Sequence, residues 1–108
     1  MENLREIIWT KRALNDLRKA YDFNSVIYGE EKSFAIIKKI VEKIELLKDK
    51  RLTEIGSVDT DFNHLNFEYR KLIVGYSKIT YRLGFDKTKV YINRIFDTRQ
   101  NPLENLRR

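Results

Sequence analysis

The sequence predicts an α+β fold, β-α-α-β-β-β, in which an antiparallel sheet carries a helical hairpin packed on one face. Three observations lead there. Apolar residues recur at three- and four-residue steps through residues 11–50, interrupted once, at Gly29. Three later runs, between residues 65 and 96, are rich in β-branched and aromatic residues. A similar run at residues 4–9, LREIIW, precedes the helices and would have to join the same sheet.

Each element has its own local reason. Thr10 follows the first strand and can cap a helix by accepting a bond from a free amide of the first turn. Ala13, Leu14, Leu17, Ala20 and Tyr21 then mark an apolar stripe, while Lys11, Arg12, Asn15, Asp16, Arg18 and Lys19 fill the other positions. This helix runs to about Tyr28, where Gly29 stops it. Glu30 and Glu31 suit the positive end of a second helix dipole. Phe34, Ile37, Ile40, Val41, Ile44 and Leu47 form its apolar face through roughly Lys50. With a single glycine between them, the two helices must form a hairpin.

Residues 51–63 show no period and read as a connector. The runs at 65–74, 76–83 and 89–96 are separated by Gly75 and by GFDKT at 84–88, which reads as a three-stranded antiparallel meander. In 76–83, Ile79, Tyr81 and Leu83 share one side, and the helices should cover them. Lys78, Thr80 and Arg82 then line an open polar side. The last run is apolar on both sides near its middle, and Arg94 stands out within it, because a buried arginine needs a partner. Two readings stay open: Arg94 pairs with a core-edge acid such as Asp97, or it serves function.

The 108 residues suit one domain, 1–108. The absence of cysteine excludes disulfides and thiolate metal sites, and no apolar run approaches a membrane span. MENLREIIW lacks the pattern of a secretory signal, so a cytoplasmic protein without membrane attachment is expected. The net charge of +6 is unevenly placed. Residues 1–63 hold 12 Lys/Arg against 12 Asp/Glu, and residues 64–108 hold 10 against 4, so the whole excess sits in the second part. That suits nucleic acid or an acidic protein partner. No phosphate-cradling glycine loop or metal-ligand cluster stands out, so no cofactor and no metal are expected. Asp59 and Asp61 read as turn formers, and His64, the lone histidine, as a connector residue.

The element order, the tryptophan ending the first strand, YRKLIVGYSKITYRL (69–83) and VYINRIFDTRQNP (90–102) together resemble the RelE/ParE family of toxins from bacterial type II toxin–antitoxin modules. The resemblance covers nearly the whole chain. It implies a toxin held inactive by a cognate acidic antitoxin, in a hetero-oligomer, and it allows a homodimer. RelE-like members cut messenger RNA on the ribosome, and ParE-like members poison DNA gyrase. For a RelE-like ribonuclease, the resemblance implies Arg70, Arg82 and Arg99 as candidate catalytic residues that bind phosphate. For a target or antitoxin surface, the candidates are Lys78, Arg82, Arg94 and Arg99. After Arg99 the chain reads QNPLENLRR, without the Tyr or His that often transfers a proton in RelE-like enzymes. Tyr91 sits mid-strand and reads as a packing residue. The ParE-like reading needs no catalytic acid and is preferred, although many such sequences pair arginines where this one has only Arg99. The alternatives are the ribosome-dependent ribonuclease and an inactive family member that binds nucleic acid.

Overall fold

The computed structural model describes residues 4–49, 57–58, 69–84 and 88–99. Strand β1 (Glu6–Trp9) leads into helix α1 (Lys11–Tyr28), then α2 (Glu30–Glu45) with a 3₁₀ turn at Leu46–Lys48. Strands β2 (Ser57–Val58), β3 (Arg70–Val74), β4 (Ser77–Leu83) and β5 (Lys89–Asp97) follow, and the sheet order is β1-β5-β4-β3-β2. The predicted α+β class and order of elements hold. Two details differ. β1 pairs parallel to β5, so the sheet is mixed, because the two long helices carry the chain back to the end at which β1 began. The stretch expected to be a connector contains β2, which extends the antiparallel edge at β3. Lys50, Asp59, Asp61, His64, residues 65–68, Lys87 and Pro102 lie outside the described residues. Among the described residues, no helix is long and apolar enough to cross a membrane.

The caps appear where the sequence places them. Thr10 accepts from the Ala13 amide at 3.2 Å, and its hydroxyl donates to the Ile92 carbonyl at 2.7 Å. One side chain thus starts α1 and ties it to β5. Gly29 sits at φ 90°, ψ 163°, a backbone region that only glycine enters without strain. This conformation closes the hairpin in one residue. The two helices are pinned by fully buried Ser33, which donates to the Tyr21 carbonyl at 2.6 Å. A second tight turn, at Gly75 with φ 58°, joins β3 to β4.

The core lies between the hairpin and one side of the sheet. Ala13 comes from α1; Ile40 and Ile44 come from α2, and Leu47 from the 3₁₀ turn. They meet Leu72, Ile79, Tyr81, Val90, Ile92 and Ile95 of the strands. Not every residue of the expected stripes takes part. Leu14 and Phe34 are mostly exposed, whereas Asp16, expected on the outer side, is buried. Asp16 lies three residues after Ala13, within the stripe, and the reason for its burial is an ion pair described below.

The apolar character of both sides of the last strand has a structural cause. Thr80 stands opposite Arg94, but Tyr81 stands opposite Ile92, so Asn93 is an extra residue bulged out of register. The bulge reverses parity. Val90 and Ile92 before it, and Ile95 after it, all face the helices and align with Leu83, Tyr81 and Ile79. A strand that alternated without interruption would turn Ile95 away from the core.

Candidate functional site

The cationic residues singled out from the sequence divide between the two sides of the sheet. Register with β4 puts Lys78 and Arg82 on the side facing away from the helices, as expected, and places Arg94 with them. It puts Arg70, opposite Tyr81 and in line with Leu72, on the helix side, where it is only 9% exposed. Arg99 follows Asp97, which is opposite Ser77 on the same side, and its guanidinium reaches α1. The candidate cations Arg70, Arg82 and Arg99 therefore do not share one side of the sheet. The cause is strand parity: β3 starts its helix-facing series on Arg70, and the bulge in β5 swings the residues beyond it. Arg70 and Arg99 also stand at opposite ends of the sheet. The four steps from Tyr81 to Ser77 alone span about 13 Å.

Arg94 has a partner, and it is Asp16 rather than Asp97. Nε donates to Asp16 Oδ2 at 2.7 Å and Nη2 donates to Oδ1 at 3.2 Å. The same Oδ2 accepts from the Ile95 backbone amide at 2.9 Å. The geometry explains both the burial of Asp16 and the exposure pattern of α1. β1 pairs with β5 only as far as Ile92, and beyond that point the edge of β5 would be bare. The α1 carboxylate takes the place of a strand partner there and is neutralised by the adjacent guanidinium. The two side chains are 8% and 15% exposed. Arg94 also lies 4.9 Å from the centre of the Phe96 ring.

Arg99 is held on every side. It forms a bidentate pair with Asp97, Nε to Oδ1 at 2.9 Å and Nη2 to Oδ2 at 2.6 Å. Nη1 donates to the Tyr28 hydroxyl at 3.2 Å, and Nη2 to Asn24 Oδ1 at 3.1 Å. The guanidinium lies 5.0 Å from the Phe23 ring centre and 4.5 Å from that of Tyr76. Burial alone would push the Asp97 carboxyl up, but the Arg99 hydrogen bonds and charge outweigh it and leave that carboxyl below its ordinary range. The Asp97 hydrogen bonds raise Arg99 in turn. The flanking arginines of NRIFDTRQNP are thus both fastened to α1: Arg94 directly through Asp16, and Arg99 through Asn24 and Tyr28.

The outer side keeps a smaller cationic group. Arg82 stacks 4.3 Å above the Tyr91 ring. Lys78 lies 5.9 Å from the Phe96 ring centre and is nearly buried, as are Thr80 and Phe96. This side is therefore less open than the alternation of β4 suggests, with aromatic rings interleaved among its cations.

Sequence reasoning missed Arg5, Asp16 and Asn24. Arg5 is 5% exposed, donates to the Leu47 carbonyl at 3.4 Å and the Asp49 carbonyl at 3.3 Å, and is lowered by burial against the opposing pull of Tyr81 and Asp49. Asp16 was legible in part, because its place between Ala13, Leu17 and Ala20 puts an acid inside the apolar stripe. Nothing local marks Arg5.

The family profile described as ParE toxin of type II toxin-antitoxin system, parDE, matches residues 7–102. No curated protein gives a significant sequence match. Among solved structures, the chain is similar to one from the chromosomal ParDE toxin–antitoxin system of Pseudomonas aeruginosa, at 23% identity and a TM-score of 0.69, covering 88% of this chain and 97% of that one. It is also similar to a chain of the RelBE2 toxin–antitoxin complex of Mycobacterium tuberculosis, at 18% identity and a TM-score of 0.62, covering 90% and 94%. A mutant of the Escherichia coli toxin RelE in the free state gives 12% identity and a TM-score of 0.59, covering 95% and 90%.

Proposed function

The chain belongs to the ParE family of toxins of type II toxin–antitoxin systems, and from that premise we propose that it arrests growth by binding DNA gyrase and is neutralised by a cognate acidic antitoxin. The observation that carries this reading is the clamp on Arg99. A phosphoryl-transfer site needs cations aimed at the phosphate and free to follow its developing charge. Arg99 spends its charge on Asp97 and its remaining donors on Asn24 and Tyr28. Arg70 lies on the opposite side of the sheet from Arg82. The three arginines of the ribonuclease reading do not converge on one phosphate. A binding surface needs no such convergence; it needs fixed charge and shape, which Arg82 over Tyr91 and Arg94 beside Phe96 supply. An acidic antitoxin segment would complement the excess charge of the second part of the chain and would fold on binding.

One contact favours the ribonuclease alternative: Arg82 stacked on Tyr91 places a cation beside a phenol on the outer side. Two assays on the purified protein separate the readings. We expect inhibition of gyrase supercoiling, relieved by the antitoxin encoded beside the toxin, and no cleavage of a message being translated. Cleavage of that message with gyrase unaffected would replace the first reading by the second. Harmless expression, with nucleic-acid binding that weakens steeply with salt, would favour the inactive member instead.

A further inference from the structure

Between α2 and the β3–β4 turn lies a cavity of about 480 Å³, with the Arg99 clamp at one end. Its volume falls within the range of small-molecule sites, roughly 300–1,000 Å³. Its walls are largely apolar: Ala35 and Ile36 from α2, Val74 from β3 and the Tyr76 side chain of the turn. Lys32 and Lys39 stand along its α2 side, and neither has an ion-pair or hydrogen-bond partner among the described residues. No described carboxylate lines it. Arg99 also reaches it, but Asp97 already balances that charge. The cavity thus joins an apolar floor to two ammonium groups that no described carboxylate meets.

We propose that this cavity binds a small amphipathic anion: an aliphatic or aromatic body with a single carboxylate, sulfonate or phosphate head. The apolar walls would take the body. Lys32 and Lys39, seven residues apart on one helix, are about 10 Å apart along its axis. Their long arms can converge on one head group, which the apolar surroundings would hold more strongly than water does. The Tyr28 and Tyr76 rings at the Arg99 end favour a flat or unbranched body over a bulky one.

The full chain is titrated with 1-anilinonaphthalene-8-sulfonate, and the fluorescence is then competed with decanoate and with decanol. Decanoate should displace the dye, and decanol, which has the same body without the charge, should do so less well. Lys32→Gln/Lys39→Gln should weaken decanoate about tenfold, the effect of two partly exposed ion pairs, and leave decanol unchanged. Both lysines are exposed, so this variant should melt as the wild type does. Ala35→Trp, built from an exposed α2 position, should fill the space and remove both competitors. Failure of decanoate to displace the dye would overturn the proposal. Undiminished decanoate affinity in the double lysine variant would also overturn it, by moving the ligand to the exposed apolar tip at Val26 and Phe34. The readout does not involve growth arrest or gyrase, so it is decided separately from the toxin's target.

Discussion

Asp16 does three things with one carboxylate: it accepts from Arg94 twice and from the Ile95 amide once. Removing it takes a two-point carboxylate contact from a guanidinium that is 15% exposed, and the side-chain acceptor from the Ile95 amide. We expect Asp16→Ala to cost about 3 kcal/mol in urea denaturation. Asp16→Asn should recover part of that, because the amide oxygen can still accept from Ile95. The Asp97–Arg99 pair belongs to the same scale but behaves differently with pH. The folded Asp97 carboxyl sits below its unfolded value, so its contribution is complete above that unfolded value, near pH 4. It is lost as pH falls through the lower, folded value. We expect Arg99→Ala to cost about 2 kcal/mol at neutral pH. The gap between variant and wild type should close as the pH is taken below about 4. A gap that stayed constant down to acid pH would mean that the aromatic stacking of Arg99, rather than its ion pair, supplies the stability.

At the scale of elements, the hairpin turn and the bulge decide the shape of the domain. Gly29 has open space where a Cβ would be, so any cost of a side chain there is backbone strain rather than a clash. Gly29→Ala should therefore lower stability by roughly 1–3 kcal/mol, read from the thermal or urea midpoint, with no change in the folded structure. The bulge at Asn93 acts differently, because it changes which residues β5 presents. Deleting Asn93 would remove the extra residue and leave Arg94 opposite Thr80 and Ile95 opposite Ile79, as they are now, whereas a strand that kept Asn93 in simple alternation would turn Ile95 outward. β1 could be read as a strand from its composition, but its parallel pairing could not. The direction of a short edge strand depends on where the intervening helices return the chain. β2 was likewise invisible, because two residues held only by pairing with β3 leave no period to detect.

The whole molecule sorts its charges into two populations. Arg70 and Arg99 serve the interior and the helix seam, while Lys78, Arg82 and Arg94 lie on the outer side, Arg94 also paired to α1. Substitutions should separate along that line. We expect Arg70→Ala to lower stability measurably, by about 2 kcal/mol, because it empties a site that is only 9% exposed. Arg82→Ala should leave the melting temperature nearly unchanged and weaken growth arrest. The reverse pattern, a stable but inert Arg70→Ala protein, would restore Arg70 to the working surface and favour the ribonuclease.

The sequence by itself determined the class, the order of elements, both glycine stops, the Thr10 cap and the excess of basic groups in the second part. Each of these follows from a local rule: periodicity, backbone freedom or composition. Only the tertiary structure decided which side of the sheet each cation occupies and what holds it. One bulged residue reverses the facing of everything beyond it, and the acid that meets Arg94 comes from a helix 78 positions away. Contacts across that separation depend on how the elements pack, and packing is not written in any single window of the chain.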